Sequence, residues 1–185
     1  MRRFTLVSAA VILATAAGGC SSKPKPPDVP ALIADLKSTD PERQGRANLA
    51  LMDVGAPAVP SLIEMLQGPD PAQRGTAART LYGMGGRGKE AVPALAVLLG
   101  DADTDNRVAA AMALENMGPD AAPAVPALIK ALKDREGLVR QRSVIALGNI
   151  GPAARSAVPA LGEAARWDPV RQSAEAAIQK IQSRQ

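Results

Sequence analysis

VPALIKALKDREGLVRQRSVIALGNIG, residues 125–151, is the stretch that decides the fold. Its first dipeptide, Val-Pro, recurs along the chain at intervals of 30, 33, 33 and 33 residues. Each copy opens with a version of VPALIKAL and closes with a version of IALGNIG, which becomes AAIQKIQ in the last copy. Self-similarity at a fixed period of this length is typical of a repeat array. The copies begin at Val29, Val59, Val92, Val125 and Val158.

Each copy predicts two helices. Proline in the second place suits the first turn of a helix, because its missing N–H needs no partner there. Apolar residues in the fourth and eighth places, such as Leu128 and Leu132, then share one face. An acid in the twelfth place predicts the N-cap of a second helix, and in two copies a proline follows it. These acids are Asp40, Asp70, Asp103 and Glu136, and Asp168-Pro169 repeats the signal in the shortened last copy.

The second helix is predicted to bury places 19, 22, 23 and 26, which form one stripe at the helical period. These places hold Ala110, Ala113, Leu114 and Met117 in the third copy and Ser143, Ala146, Leu147 and Ile150 in the fourth. The glycine that follows predicts an αL cap at Gly55, Gly85, Gly118 and Gly151. We therefore predict an all-α fold, a right-handed α-solenoid of about five two-helix repeats over residues 29–185.

A basic residue stands four places after the acid in most copies. This spacing permits an ion pair within each second helix, and stacking of repeats could extend the pairs into a ladder between neighbours. The first copy has Gln44 instead, which suits a terminal repeat with a neighbour on one side only. The basic residues are Arg74, Arg107 and Arg140, with Arg171 in the last copy.

The N-terminus predicts a bacterial lipoprotein signal peptide over residues 1–19. Arg2 and Arg3 precede FTLVSAAVILATAA, a run that is too short to span a bilayer and typical of a secretory signal. The small residues before Cys20 resemble the lipobox of bacterial lipoproteins, although Ala17 stands where that family usually has Leu. The resemblance implies that Cys20 is acylated, which would anchor the chain in a membrane. The alternative is a soluble secreted protein with a free thiol.

Residues 20–28 are interpreted as the lipidated cysteine and a stiff spacer. KPKPPD contains three prolines, which favour polyproline II, so nine residues at about 3.1 Å each would hold the repeats roughly 28 Å from the bilayer. Ser21 follows Cys20, whereas lipoproteins retained in the inner membrane tend to have Asp there. The resemblance therefore favours the outer membrane of the bacterial cell envelope, facing the periplasm.

The repeat pattern resembles the HEAT-like repeats, in the short form also found in the phycobilisome bilin-lyase group. The resemblance rests on Val-Pro-x-Leu, the acid and arginine of the second helix, and Ala-Leu-x-x-Ile/Met-Gly, and it covers about residues 29–182. It implies that the second helices line the concave surface of the solenoid. That group is associated with bilin-lyase activity, but this chain has no residue distinctive of that activity. The predicted location in the cell envelope also argues against it.

GMGGRGKE, residues 83–90, satisfies both G-x-x-x-x-G-K of phosphate-binding loops and G-x-G-x-x-G of dinucleotide-binding loops. Both loops need a preceding strand, but this segment follows the helical pattern TAARTLY at the seam between two copies. Glu90 also stands where a phosphate loop has the Ser or Thr that binds magnesium. We interpret the glycines as a helix end and expect no nucleotide.

Catalytic and metal chemistry have few candidates. The chain has no histidine and its one cysteine belongs to the lipobox, which argues against a histidine-based triad and a zinc cluster. Asp101, Asp103 and Asp105 have part of the spacing of a calcium loop but lack its glycine and closing glutamate. The net charge of +4 is not concentrated in a block, and aromatics are 2% of residues, so no nucleic acid is expected. We predict neither cofactor nor metal and no enzymatic activity.

The exposed face of the second helices is the predicted partner-binding site. Places 14, 18, 21 and 25 lie within about 60° of one another on a helix. Arginines and apolar residues at these places could bind a partner segment, or they could be packing and solvated charge. Tyr82 is a further anchor candidate, and Trp167 is predicted to seal the end of the array. The predicted site residues are Arg46, Leu49, Arg79, Met112, Asn116, Arg142, Ile145 and Asn149.

The sequence thus predicts a lipid-anchored scaffold or adaptor that binds another envelope protein through its concave face. One alternative is an accessory or lyase-like protein that holds a small-molecule prosthetic group in the groove. Another is a purely structural envelope component.

Overall fold

A computed structural model of the chain describes residues 27–166 and 168–183. The signal peptide, Cys20 and Trp167 lie outside the described residues, so their predicted roles stay predictions.

The described part of the chain is all-α, which confirms the predicted fold class. Helices follow one another in pairs, and short 3-10 segments connect one pair to the next. The first helices of the pairs are α1 Val29–Leu36, α3 Val59–Leu66, α5 Val92–Leu98, α7 Val125–Ala131 and α9 Val158–Ala164. The second helices are α2 Pro41–Val54, α4 Pro71–Met84, α6 Thr104–Met117, α8 Gly137–Ile150 and α10 Arg171–Ser183.

The predicted N-caps of α2, α4, α6 and α8 are confirmed, whereas in the last copy Asp168–Val170 forms a 3-10 segment and α10 begins only at Arg171. The Asp40, Asp70 and Asp103 carboxylates each accept hydrogen bonds from two backbone N–H groups in the first turn of the second helix, at 2.8–3.4 Å. The Glu136 carboxylate accepts one such bond, from Leu138 at 3.4 Å. Each cap satisfies donors that a helix start leaves without intrahelical partners. Every second helix from α2 to α8 therefore begins where its acid stands.

The glycines that end these helices have positive φ, but the predicted αL conformation is wrong. Their φ angles are 54° to 73°, while their ψ angles lie between −128° and −139° instead of near +47°. This region is essentially reserved for glycine. The positive φ belongs to Gly55, Gly85, Gly118 and Gly151.

GMGGRGKE begins in a helix and continues as a 3-10 segment. Helix α4 ends at Met84, and Gly85–Ala91 forms the 3-10 segment that leads into α5. No strand precedes the glycines in the described part of the chain, so the context of a phosphate-binding loop is missing.

The core lies between the two layers of helices. The predicted stripe is confirmed, since the side chains at places 19, 22, 23 and 26 of α6 and α8 are at most 3% exposed. Second helices pack much more extensively against one another than first helices do. The second helices therefore form one continuous layer, and the side of this layer that faces away from the first helices is called the inner face. Among the described residues no single helix is long and apolar enough to cross a membrane; α2 and residues 56–66 reach that length only together, across a bend of 120°.

Arg74 and Arg107 pair with the neighbouring repeat, so the intrahelical ion pair predicted for these two arginines is wrong. Arg74 donates to the Asp101 carboxylate at 2.7 and 3.2 Å, and Arg107 donates to Asp134 at 2.8 and 3.1 Å. The Asp70 and Asp103 carboxylates each accept two N–H groups of their own helix. Asp101 and Asp134 lie in the turn of the next repeat, accept one backbone N–H each, and present both carboxylate oxygens to the arginine. The predicted ladder between neighbours thus exists, with different acids.

Each of these arginine–aspartate pairs, called a rung of the ladder, also involves carbonyls in the arginine's own repeat. Arg107 Nη1 donates to the carbonyls of Asp101 and Ala102 at 3.0 and 3.3 Å, and the Arg107 side chain is only 6% exposed. Burial alone would raise the pKa of Asp134, but hydrogen bonds from the Arg107 guanidinium and the Glu136 N–H outweigh it and lower that pKa below its ordinary value. Burial alone would also raise the pKa of Asp101, but hydrogen bonds from the Arg74 guanidinium, the Asp103 N–H and the Asn106 side chain lower it below its ordinary value. Both carboxylates are therefore held in the ionised form.

Candidate functional site

The inner face, formed by α2, α4, α6 and α8, carries the predicted site residues. Arg46 and Arg79 are exposed, and Leu49 is 64% exposed although its side chain is apolar. Met112 and Ile145 are half-buried, so they combine packing with access from the inner side. Of the four exposed large apolar side chains in the described residues, three lie on second helices and one on a first helix. The three are Leu49, Tyr82 and Leu138, and the fourth is Val97 on α5.

Two of the predicted residues meet in a depression between α4 and α6. The depression has a volume of about 380 Å³ and is lined mainly by apolar atoms. Arg79 lies at its edge and donates to the Thr76 hydroxyl at 3.0 Å. Asp105 is exposed in the first turn of α6. The lining residues are Arg79, Tyr82, Asp105, Val108, Ala109 and Met112.

Three other predicted residues hold neighbouring repeats together. Arg142 donates to the Glu115 carboxylate at 3.3 Å. Asn116 donates to the Tyr82 carbonyl at 2.7 Å, and Asn149 makes the corresponding bond to the Glu115 carbonyl at 3.2 Å. The two asparagine bonds reach carbonyls in the last turn of the preceding second helix, and the Tyr82 carbonyl also accepts the Gly85 N–H. Binding of a partner by these three residues stays a prediction.

Sequence reasoning missed a second groove at the carboxyl ends of α6, α8 and α10. This groove has a volume of about 510 Å³ and is more polar than the depression. Lys180 lies in it, with Nζ 3.4 Å from Asn149 Oδ1. When the shortening of the last copy is taken into account, Lys180 aligns with Asn149 at place 25 of the repeat. An alignment of the residues at place 25 could therefore have predicted that Lys180 lies beside Asn149.

Two of the three aspartates that suggested calcium have other partners. Asp101 pairs with Arg74 and accepts the Asp103 N–H at 2.8 Å, while Asp103 caps α6. In the described residues no group of three or more His, Cys, Asp or Glu side chains is arranged to hold a metal ion. The site therefore offers apolar contact and hydrogen bonding from fixed side chains.

Repeated helix pairs, with the second helix of each pair on the inner side, define an α-solenoid. Residues 29–103 and 92–179 match the HEAT repeats. The chain belongs to this family. A search of curated proteins finds no significant match.

Solved structures show the same architecture. The complex of CpcE and CpcF of phycocyanin lyase from Nostoc sp. matches with a TM-score of 0.67 and 23% identity, over 80% of this chain and 96% of that one. An engineered protein matches with a TM-score of 0.59 and 27% identity, over 84% and 79% of the two chains. A designed armadillo repeat protein in complex with the peptide (KR)4 matches with a TM-score of 0.63 and 19% identity, over 81% and 80%. At these identities the likeness shows the fold.

Proposed function

We propose that the chain is a non-catalytic scaffold or adaptor that binds another protein through its inner face. The observation that carries the proposal is the placement of Leu49, Tyr82 and Leu138, three exposed apolar side chains, on second helices. Apolar side chains exposed on an ordered surface gain free energy when a partner covers them. A HEAT-repeat solenoid is suited to protein binding because stacked repeats present an extended surface. The similar designed armadillo protein was solved with a peptide, which is consistent with such a role.

We further propose that the protein works in the bacterial cell envelope, anchored by acylated Cys20 in the outer membrane and facing the periplasm. Support comes from the sequence alone, namely Arg2 and Arg3, the apolar run of residues 4–17 and the small residues before Cys20. The proline-rich spacer would keep the inner face clear of the lipid headgroups.

The accessory or lyase-like alternative has one observation in its favour. The likeness to the CpcE and CpcF complex of phycocyanin lyase covers most of both chains, but at 23% identity it shows the fold alone. A role in holding a prosthetic group would require a ligand that fits the inner face without a protein partner. A small molecule that raises the melting temperature of the purified chain, with no protein crosslinked to the inner face, would favour this alternative.

Site-specific photocrosslinking in cells tests the adaptor proposal. A photoreactive phenylalanine analogue replaces Leu49 on the inner face, and in a matched variant it replaces Val97 on the outer face. Both positions are exposed, at 64% and 80%, so accessibility does not bias the comparison. We expect one discrete protein adduct from Leu49 and none from Val97. Equal adducts from both positions, or none from Leu49, would contradict the proposal.

Incorporation of labelled palmitate tests the anchor separately. We expect the parent chain to be labelled and to fractionate with outer membranes, and a Cys20→Ser variant to be unlabelled. A parent chain that is released unlabelled would show that the protein is secreted with a free thiol. The adaptor proposal does not depend on this result, because the inner face lies in the repeat domain.

A further inference from the structure

The depression between α4 and α6 has a counterpart one repeat later, between α6 and α8. There, Arg142 and Glu115 form an ion pair at 3.3 Å. Arg142 corresponds to Ala109, and Glu115 corresponds to Tyr82, each at a distance of 33 residues. The array therefore fills the later position with its own arginine side chain and leaves the earlier position open. Six pairs of residues correspond in this way: Arg79 and Met112, Tyr82 and Glu115, Asp105 and Leu138, Val108 and Gln141, Ala109 and Arg142, and Met112 and Ile145.

We infer that the open position receives an arginine side chain from the partner protein, an inference that rests on the proposed function. Val108, Ala109 and Met112 form apolar walls that can cover the aliphatic part of an arginine. Tyr82 is 41% exposed and lines the depression, and an aromatic ring there can contact a guanidinium group. A partner arginine thus takes the place that Arg142 occupies one repeat later.

Asp105 supplies the carboxylate for this arginine. It lies on the rim of the depression, it is exposed, and no ion pair links it to another described residue within 4.0 Å. In the counterpart the carboxylate comes from Glu115, and the residue corresponding to Asp105 is Leu138. A planar guanidinium can bind a carboxylate through two parallel hydrogen bonds, which favours arginine over lysine.

The charge of the third repeat favours a cationic occupant. Residues 92–124 contain five acids and one base, which gives a net charge of 1 − 5 = −4, and residues 59–91 of the adjoining repeat contain three acids and four bases, which gives 4 − 3 = +1. Arg79 is the exception at this site, and its charge opposes a second guanidinium. Its hydrogen bond to the Thr76 hydroxyl holds one guanidinium nitrogen against the side of α4. Arg79 therefore limits the affinity, and an acidic segment is the competing occupant.

Short peptides test the inference by NMR. The purified chain, with ¹³C-labelled methionine methyl groups, is titrated with acetyl-Gly-Ser-Arg-Ser-Gly-amide and with versions carrying citrulline or glutamate in the centre. A Met112→Leu variant assigns the Met112 signal. We expect the arginine peptide to shift this signal and the uncharged citrulline peptide to bind about fivefold more weakly. Equal binding of the citrulline peptide, tighter binding of the glutamate peptide, or no shift with arginine would overturn the inference.

Variants taken from the repeat register sharpen the test. Ala109→Arg/Tyr82→Glu copies the Arg142–Glu115 pair into the depression, so we expect unchanged helicity by circular dichroism and loss of the Met112 shift. Asp105→Leu copies Leu138 and is expected to weaken the arginine peptide about fivefold. Arg79→Met copies Met112 and is expected to tighten it severalfold. Unchanged affinity in the filled variant or in Asp105→Leu, or weaker binding in Arg79→Met, would contradict the assignment.

Failure of this inference can be told apart from failure of the adaptor proposal. If the filled variant keeps the adduct at Leu49 and the arginine peptide never shifts Met112, the inner face binds a partner but the depression does not hold its arginine. If no adduct forms at Leu49 in any variant, the adaptor proposal itself fails.

Discussion

Removing the charge of Asp134 is expected to weaken the junction between the third and fourth repeats. Asp134→Asn keeps the shape of the side chain and an oxygen that can accept the Glu136 N–H. It leaves the Arg107 guanidinium, 6% exposed, without a carboxylate. Breaking a buried ion pair costs about 3–5 kcal/mol. We expect about 2 kcal/mol, because Asp134 is partly accessible and Arg107 keeps two carbonyl acceptors.

Urea unfolding followed by circular dichroism measures this cost. With a slope of about 2 kcal/mol per M, a loss of about 2 kcal/mol lowers the midpoint by about 1 M. Glu163→Gln is the matched control, because Glu163 pairs with Lys133 at 4.0 Å and both side chains are more than 60% exposed. We expect the control to change the free energy of unfolding by less than about 0.5 kcal/mol.

The pH dependence provides an independent check. The pKa of Asp134 is lowered in the folded chain, so its stabilisation is present above the unfolded pKa of about 3.9 and is lost as pH falls through the folded pKa. The difference between the parent and Asp134→Asn should therefore be constant near pH 7 and shrink in acid. A difference that stays the same from pH 7 to pH 3, or a cost at pH 7 no larger than that of Glu163→Gln, would refute the reasoning.

Three further predictions can be measured by the same urea unfolding. Gly151→Ala should lower the free energy of unfolding by about 1–2 kcal/mol because φ is 73°, whereas Gly45→Ala inside α2 should raise it by about 0.5–1 kcal/mol. An added Cβ meets nothing within 4 Å at either position, so equal effects of the two substitutions would contradict a backbone cause. Gly148→Ala should lower the free energy of unfolding by about 1–2 kcal/mol, because the added Cβ would lie 3.1 Å from the Ala177 Cα. Gly83→Ala should cost less, because only the flexible Met52 side chain must move, and a larger cost at Gly83 than at Gly148 would contradict this reasoning. Asn149→Ala should cost about 1 kcal/mol through loss of the bond to the Glu115 carbonyl, and no cost would show that this bond contributes nothing net.

Much of the fold could be predicted because it depends on local chemistry. Asp70 and Pro71 specify a helix start within three residues, and the buried stripe of α8 follows from the helical period alone. The partner of Arg107 could not be predicted this way. It lies 27 residues away, in a turn whose aspartate recurs in only two copies, while a cap acid four places before Arg107 offered a closer false partner.

The candidate site was predictable to a similar extent. Helical periodicity places Arg79 and Met112 on the same face of their respective helices, α4 and α6, and both residues line the depression. Periodicity within a helix does not show that Arg142 meets Glu115, because that contact joins place 18 of one repeat to place 24 of the preceding one. The depression is therefore a property of the junction between repeats.

The arginine–aspartate rungs join the second repeat to the third and the third to the fourth, but the described residues form no such rung between the first and second repeats. Gln44 takes the arginine place and donates to the Leu36 carbonyl in its own repeat, and Gly68 takes the aspartate place. A tensile load applied through the N-terminal segment therefore reaches the most weakly fastened junction first. If the anchor proposed at Cys20 transmits such a load, the first helix pair is expected to unfold at low force while α4 and α6 keep the inner face intact.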